Sequence, residues 1–221
     1  MIKGVIFDMD GVIIDSEPMH YKVFKQYSKE ALGLAITDTE YNTFIGTTNT
    51  HIFNYLKEKY HLQQEVADMV AEYETKIEEH LLAAKEGIAP IAGVDTLAST
   101  LYEERFKLAV ASSSAQKRID IVIEMFHMDK FFAAKISGER IEHSKPAPDI
   151  FLLAAKTLGL LPEECLVIED STNGVRAAKA AGMKCIGYNN PSSIGQDISR
   201  ADLIIDHFAE LNKQLSVIKT M

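Results

Sequence analysis

The chain has 221 residues, and its 23 lysines and arginines against 32 aspartates and glutamates give a formal net charge of −9. Hydrophobic residues make up 47% and charged residues 25%, which is typical of a folded globular protein and too apolar for a disordered one. The acidic balance disfavours nucleic acid and membrane surfaces as partners. No apolar run approaches the roughly 20 residues of a membrane helix, and no signal peptide is recognisable. We therefore expect a cytoplasmic protein.

Apolar runs typical of strands recur along the chain and alternate with segments of helical periodicity. The predicted strands are Ile2–Phe7, Lys107–Ala111, Cys165–Ile168, Met183–Tyr188 and Leu203–Ile205. Such alternation indicates βαβ units, and it predicts an α/β fold with a doubly wound, Rossmann-like parallel sheet. Ligands of these sheets bind beyond the carboxyl ends of the strands.

One segment, between the first two predicted strands, interrupts this alternation. It contains no convincing strand, and its apolar spacing predicts helices at Pro18–Glu30, Thr50–Tyr60 and Gln64–Leu82. We predict a helical cap subdomain over residues 16–85, inserted after the first strand. The α/β core is then discontinuous and consists of residues 1–15 and 86–221.

Acidic and hydroxyl side chains follow several of the predicted strands. Asp8 and Asp10 end the first strand, and alternate residues of an extended backbone point to the same side. Ser112–Ser114 follow the second strand and offer hydrogen-bond donors to an anion. Glu169 and Asp170 end a later strand. Neighbouring carboxylates repel one another unless a cation lies between them, and such oxygen ligands suit Mg²⁺.

A lysine, Lys145, precedes an apolar helix and is followed closely by Pro146 and Pro148. An ammonium group held at the mouth of a sheet can neutralise a phosphate. Alone, each of these motifs is explained equally well by a turn, a helix cap or a solvated charge. Their order along the chain, each at a strand end or a helix start, favours one shared site.

Together these motifs resemble the four motifs of the haloacid dehalogenase superfamily, and they occur in the family's order from Asp8 to Asp170. The segments at 8–18 and 144–151 resemble the subgroup that contains β-phosphoglucomutase and small sugar-phosphate phosphatases. In that subgroup a helical cap follows the first strand. The resemblance implies a Mg²⁺-dependent phosphatase of small phosphorylated metabolites, with sugar phosphates as the expected substrates and a monomer or weak dimer as the expected state.

The resemblance also implies a role for each motif residue. Asp8 is expected to be the nucleophile that carries an aspartyl phosphate, and Asp10 to protonate the leaving group and then deprotonate water. Ser112 and Ser113 are expected to bind the phosphoryl group, whose charge Lys145 balances. The expected metal ligands are Asp8, Asp10 through its backbone carbonyl, Glu169 through water, and Asp170.

The predicted cap is expected to supply substrate specificity. Gly46 and Asn49 belong to a loop that is expected to face the site, near the place where mutases carry an arginine. The chain has no arginine before Arg105. This absence disfavours a mutase, because arginine suits bidentate phosphate binding. His20 near the hinge and Lys76 on the third cap helix are further candidates for substrate contacts.

Two alternatives to a phosphatase stay open. A β-phosphoglucomutase uses the same aspartyl phosphate but returns the phosphoryl group to a sugar. A non-catalytic phosphate-binding module is the other alternative, which the intact acidic residues and Lys145 disfavour. Lys117 and Arg118, in the first turn of a predicted helix, are expected to be solvated.

Overall fold

The computed structural model describes residues 1–84, 87–213 and 215–220, so the predicted boundary at residues 85 and 86 lies outside the described residues. Six strands of the described chain form one parallel sheet. They are β1 (Gly4–Phe7), β2 (Lys107–Ser112), β3 (Phe132–Ser137), β4 (Cys165–Glu169), β5 (Lys184–Tyr188) and β6 (Leu203–Ile205).

The strand order is β3-β2-β1-β4-β5-β6, which confirms the predicted doubly wound, Rossmann-like sheet. The chain starts at the centre of the sheet and adds strands outward on each side. Phe7 at the end of β1 pairs in register with Val110 of β2 and with Ile168 of β4. The residues that follow these three strands therefore meet at one edge, beside the point where the strand order reverses.

The edge strand β3 was not predicted from the sequence. Two alanines and Lys135 interrupt its apolar pattern, and only one of its faces is fully buried. The ammonium of Lys135 lies 2.9 Å from carboxylate oxygens of both Asp120 and Asp129. A charged side chain on an edge strand discourages pairing with another sheet, which explains why this strand lacks the apolar signature of its neighbours.

Within the described chain, four helices lie between residues 16 and 85. They are α1 (Glu17–Glu30), α2 (Asp38–Asn42), α3 (Asn49–Tyr60) and α4 (Val66–Ala84). They pack around their own buried cluster, in which the ring of Tyr73 lies 5.8 Å from Phe24 and 5.6 Å from Phe53. Helix α2 has only five residues, too few to leave a periodic signal in the sequence. This segment is called the cap below.

Two backbone segments join the cap to the sheet and lie side by side. The amide of Ile91 donates to the carbonyl of Ile13 at 2.9 Å, and Ile14 pairs with Pro90 in an antiparallel bridge. The entrance to the cap and the exit from it are thus held together at the base of the cap.

The remaining helices cover the two faces of the sheet. They are α5 (Val94–Glu103), α6 (Gln116–Met125), α7 (Asp149–Leu158), α8 (Thr172–Ala180), α9 (Phe208–Lys213) and α10 (Leu215–Thr220). One face packs against α5, α6, α9 and α10, and the other against α7 and α8. Cys165 and Cys185 are buried free thiols. None of the described helices is both long enough and apolar enough to cross a bilayer.

Candidate active site

The loop after β1 turns sharply at Gly11. The carbonyl of Met9 accepts from the amide of Ile13 at 2.8 Å, so the chain leaves the sheet within a few residues of Asp8. Gly11 has φ +85°, and a Cβ built there would lie 2.0 Å from an oxygen of Asp170. Only glycine therefore lets this loop approach the end of β4 so closely.

Three carboxylates meet where β1 and β4 end. Asp8, Glu169 and Asp170 are all buried, and one oxygen from each lies within 4.8 Å of the others. The ammonium of Lys145 lies 2.6 Å from Asp8 Oδ1 and 2.6 Å from Glu169 Oε1. The second oxygen of Glu169 accepts from the amides of Asp170 and Ser171, each at 2.9 Å. The arrangement is a fixed acidic cluster that can hold a metal ion.

The electrostatics of the cluster favour additional positive charge. Burial raises the pKa of Asp8, and Glu169 and Asp10 raise it further, while Lys145 opposes the shift. Burial likewise raises the pKa of Asp170, with Glu169 and Asp8 adding to the effect. Burial alone would lower the pKa of Lys145, but Asp8 and Glu169 outweigh it and raise that pKa above its usual value. Lys145 therefore remains charged and offsets only part of the negative charge.

The side chain of Asp10 lies in a different environment from that of Asp8. Its Oδ1 accepts from Ser16 Oγ at 2.5 Å and lies 3.4 Å from His20 Nε2. Its Oδ2 accepts from the hydroxyls of Ser112, at 3.3 Å, and Ser114. The structure thus separates the Asp10 carboxylate from the acidic cluster, and the Ser112 hydroxyl is turned towards Asp10.

Arg118 was expected to be solvated, and this prediction is wrong. Its side chain is only 6% exposed, and its guanidinium donates to Ser114 Oγ and lies 3.9 Å from Asp10 Oδ2. Burial would raise the pKa of Asp10, but Arg118 and His20 outweigh it and hold that pKa far below its usual value. Arg118, in the first turn of α6, therefore lines the pocket instead of facing solvent.

The cap reaches the core through a loop around Gly46. The hydroxyl of Ser113 donates to the carbonyl of Gly46 at 3.0 Å, and Asn173 Nδ2 donates to the carbonyl of Ile45 at 3.2 Å. Gly46 has φ +77°, and a Cβ there would lie 2.5 Å from Ser171 Oγ. The cap loop therefore closes tightly over the ends of β2 and β4. Ser113 as a phosphate ligand stays a prediction, because its hydroxyl here binds the cap.

Of the cap residues predicted to contact substrate, Gly46, Asn49 and His20 line the pocket and Lys76 does not. Asn49, the first residue of α3, lines the pocket and donates its side-chain amide to Glu74 Oε1. His20 also lines the pocket, with Nδ1 3.5 Å from the hydroxyl of Tyr73. Lys76 is exposed and is not brought to the site, because the buried face of α4 repeats at Tyr73, Ile77 and other residues.

Glu17, which lines the pocket, and two residues that contact the site, Ser193 and Glu74, were missed by the sequence analysis. Glu17 lies at the start of α1, where burial raises the pKa of its carboxyl and the hydroxyl of Tyr41 contacts it at 3.5 Å. Ser193, from the loop after β5, donates to Asp170. Glu74 lies in the middle of α4, and no local pattern distinguishes it from the exposed acids around it. Of these residues, only Glu17 could have been predicted to lie at the site, because it closely follows Asp8 and Asp10 in the sequence.

The pocket combines a charged floor with a largely apolar roof. The cap contributes Phe24, Tyr41, Phe44, Ile45, Ile52 and Tyr73. Such a roof excludes water, while the floor combines the buried carboxylate of Asp8, the ammonium of Lys145 and the carboxylate of Asp10. This arrangement can transfer a group that carries negative charge.

Comparison with known proteins agrees with this geometry. Residues 5–188 match the family model of haloacid dehalogenase-like hydrolases, which confirms the resemblance. The chain is 30% identical over 186 residues to a phosphorylated carbohydrates phosphatase of Thermotoga maritima, covering 84% of each chain. It is 31% identical over 183 residues to a fructose-1-phosphate phosphatase of Escherichia coli, covering 83% of this chain and 94% of that one.

The fold is also similar to those of solved structures. A β-phosphoglucomutase from Clostridium difficile superimposes with a TM-score of 0.85 at 23% identity, covering all of this chain and 96% of that one. At that identity the likeness concerns the fold. The match to the family model, the two related phosphatases and the acidic cluster together show that the chain is a phosphatase-type enzyme that belongs to the haloacid dehalogenase-like hydrolase family.

Proposed function

We propose that this protein is a Mg²⁺-dependent phosphatase of phosphorylated carbohydrates that works through an aspartyl phosphate on Asp8. The observation that carries the proposal is the contrast between Asp8 and Asp10. Asp8 contacts Lys145 in the acidic cluster, whereas Asp10 contacts the serines, His20 and Arg118. Two carboxylates in unlike environments can take unlike roles, one as nucleophile and one as acid–base group.

The cluster suits Mg²⁺ as its metal. Its donors are buried carboxylates, and Mg²⁺ prefers oxygen ligands. Burial, and after it the neighbouring carboxylates, raise the pKa values of Asp8 and Asp170, so a bound cation would stabilise their ionised forms. Asp8, Asp170 and the backbone carbonyl of Asp10 are the proposed ligands, with Glu169 acting through water. A bound ion would reduce the repulsion between the Asp8 carboxylate and the phosphate of the substrate.

In the first step, an oxygen of Asp8 attacks phosphorus and the bond from phosphorus to the ester oxygen breaks. Lys145 offsets the charge of Asp8 and of the phosphoryl group, and Ser112 and Ser113 are proposed to hold the phosphoryl oxygens. Asp10 gives its proton to the departing alkoxide. Its low pKa in the ligand-free protein rises beside a phosphate dianion, because a neighbouring negative charge favours the protonated form.

In the second step, Asp10 removes a proton from a water molecule whose oxygen attacks phosphorus. The bond between Asp8 and phosphorus breaks, and inorganic phosphate leaves. Arg118 and His20 favour the ionised form of Asp10, which is the form that accepts this proton. Asp10 is then protonated and ready for the next substrate.

The substrate class follows from the relatives and from the pocket. The relatives act, by their names, on phosphorylated carbohydrates and on fructose 1-phosphate. The pocket of this chain combines polar side chains, among them His20, Asn49 and Arg118, with an apolar roof, which suits a sugar. A cytoplasmic location and a monomeric or weakly dimeric state stay predictions of the sequence.

The test is phosphate release from a panel of sugar phosphates with Mg²⁺ and with EDTA. β-Glucose 1-phosphate, with a trace of the bisphosphate, is followed in parallel for glucose 6-phosphate. Mg²⁺-dependent phosphate release without isomerisation is the expected result. Glucose 6-phosphate with little free phosphate would instead identify a mutase. No product in either assay would favour a non-catalytic phosphate-binding module.

A further inference from the structure

The loop that follows β5 reaches back to the acidic cluster. Two of its residues, Asn190 and Ser193, are buried. The side-chain amide of Asn190 donates to the carbonyl of Gly11 at 2.9 Å, and the hydroxyl of Ser193 donates to Asp170 Oδ2. This loop therefore holds both a proposed metal ligand and the turn after β1 that lies beside it.

The carboxylate of Asp170 has little freedom to turn. Its Oδ2 accepts from Ser193, and the turn after β1 packs so closely that a Cβ at Gly11 would lie 2.0 Å from the same oxygen. The whole residue is buried. With Oδ2 engaged by Ser193, Oδ1 is the oxygen that is left for an ion. The contacts thus favour binding of an ion through one oxygen of Asp170.

The other two carboxylates of the cluster are restricted in the same way. Asp8 Oδ1 and Glu169 Oε1 each lie 2.6 Å from the ammonium of Lys145, and Glu169 Oε2 accepts from two backbone amides. Each carboxylate of the cluster therefore has at least one oxygen bound to a donor of the protein. To offer both oxygens to an ion, it would have to give up a hydrogen bond, which is costly for a buried charged group.

This restriction distinguishes between divalent cations. Mg²⁺ requires a nearly octahedral set of oxygens at short distances, and the narrow angle between the two oxygens of one carboxylate does not fit that geometry. Ca²⁺ takes about six to eight oxygens at longer distances and accepts both oxygens of a carboxylate. A cluster whose carboxylates each offer a single oxygen therefore suits Mg²⁺ and denies Ca²⁺ the additional ligands that it needs.

We propose that Ser193 restricts Asp170 to binding through one oxygen and thereby makes the acidic cluster select Mg²⁺ over Ca²⁺. Ser193 is a positioning residue, because it acts on the ion through Asp170. The inference rests on the proposed function in taking the cluster as the metal site, but it does not depend on the phosphatase reaction. Ser193 is neutral, so its replacement leaves the charge of the cluster unchanged, which replacement of Lys145 would not.

The test is calorimetric titration of the metal-free protein with MgCl₂ and, separately, with CaCl₂, in the absence of substrate. Ser193→Ala removes the hydroxyl, and Ser193→Thr retains it. The matched control is Ser192→Ala, because the hydroxyl of this neighbouring residue donates to Asp15 Oδ2 at 2.8 Å, outside the acidic cluster. Thermal unfolding in EDTA checks that each variant is folded.

We expect Ser193→Ala to lower the ratio of the Ca²⁺ Kd to the Mg²⁺ Kd by about tenfold, a size typical of losing a hydrogen bond to a metal ligand. The reason is that Asp170 can then turn and give both oxygens to Ca²⁺. Ser193→Thr and Ser192→Ala should keep the ratio within about twofold of the wild-type value. An equal change of both affinities in Ser193→Ala would overturn the proposal, because a purely structural or electrostatic effect acts on both ions alike. An unchanged ratio would overturn it too.

Phosphate release by the same proteins separates this inference from the proposed function. If no sugar phosphate is hydrolysed but Ser193→Ala still lowers the preference for Mg²⁺, the phosphatase proposal fails and the role of Ser193 stands. Mg²⁺-dependent hydrolysis together with an unchanged affinity ratio overturns the role of Ser193 and leaves the phosphatase proposal in place. A wild-type protein that binds neither ion, or that binds Ca²⁺ as tightly as Mg²⁺, also overturns the inference.

Discussion

The floor of the pocket and the side that meets the cap differ in how completely their polar atoms are paired. On the floor, both oxygens of Glu169 accept hydrogen bonds, and Lys145 joins this residue to Asp8. On the cap side, Glu74 and Arg118 form an ion pair at 3.5 Å but keep buried atoms without a hydrogen-bond partner in the described chain. The floor is joined by short hydrogen bonds, whereas the cap side is joined by a longer ion pair between Glu74 and Arg118.

This difference assigns the two parts of substrate recognition to two parts of the fold. The floor is built on strand ends, whose positions the sheet fixes to within hydrogen-bond tolerance, and this suits a reaction that depends on positioned charge. The cap side depends on how α4 meets α6, so we expect changes there to alter substrate preference more than the chemistry. The following variants test that division.

The largest effect is expected from removing the nucleophile on the floor. Asp8→Asn should lower turnover of every substrate by at least about a thousandfold, because an amide cannot form the phosphoryl ester. Initial-rate and single-turnover phosphate release measure this. The melting temperature in EDTA should not fall, since the variant removes a carboxyl whose pKa is already raised by burial. Phosphate release near the wild-type rate would exclude Asp8 as the nucleophile.

Removing the ammonium from the floor should affect stability as well as activity. Lys145→Gln leaves Asp8 and Glu169 buried without their shared cation and should lower the free energy of unfolding by about 3–5 kcal/mol. Urea unfolding measures the loss. Lys156→Gln, an exposed lysine on α7, is the control and should change it by less than about 0.5 kcal/mol. Similar small losses in both variants would contradict a charge-pairing role for Lys145.

A smaller effect is expected at the joint between the two sides. Gly46→Ala places a Cβ 2.5 Å from Ser171 Oγ, so the cap should close incompletely and kcat/KM should fall about tenfold. Gly33→Ala is a matched control, because Gly33 also has a positive φ, +69°, but a Cβ there meets no atom within 4 Å. It should cost stability and leave kcat/KM unchanged. If both variants lose activity equally, backbone strain in the cap is responsible.

The smallest effect concerns the pH dependence of the floor without metal. Because burial raises the pKa of Asp170, the folded protein keeps a proton that the unfolded chain loses above pH 4 or so. Stability in EDTA is then highest below that pH and falls as the pH rises through the raised pKa, by at most about 1.4 kcal/mol per unit and proton. Asp170→Asn should flatten this slope, and saturating Mg²⁺ should remove it from the wild-type protein. Urea unfolding at several pH values measures it, and a wild-type stability in EDTA that rises with pH would contradict the expectation.

The sequence predicted the sheet and the floor of the pocket better than the cap side. Asp8, Lys145 and Asp170 lie far apart in the chain, yet each directly follows a strand or precedes a helix. The carboxyl ends of parallel strands meet at one edge, so their local positions were enough to predict that they converge. The strand β3 was not predicted, because it lies at the edge of the sheet and Lys135 interrupts the apolar pattern that the central strands show.

Arg118 shows why the remaining residues could not be predicted. A charged residue in the first turn of a helix is solvated in most proteins, and only the packing of α6 beneath the cap buries this one. Lys76 shows the converse, because its position on α4 suggested a ligand and the helix directs it to solvent. Which face of a helix meets a pocket depends on the docking of whole elements, and local spacing does not encode that docking.

The sequence by itself determined which functional groups follow one another along the chain: two carboxylates, a hydroxyl, an ammonium and two further carboxylates. Each of them lies at the end of a strand or at the start of a helix. This is possible because residues that follow the strands of a parallel sheet all lie at the same edge of that sheet. Only the tertiary structure decided that Arg118 meets Glu74 across the cap and that Asp10 is separated from Asp8. Those contacts depend on side-chain directions between elements distant in sequence, which are set when the cap packs against the core.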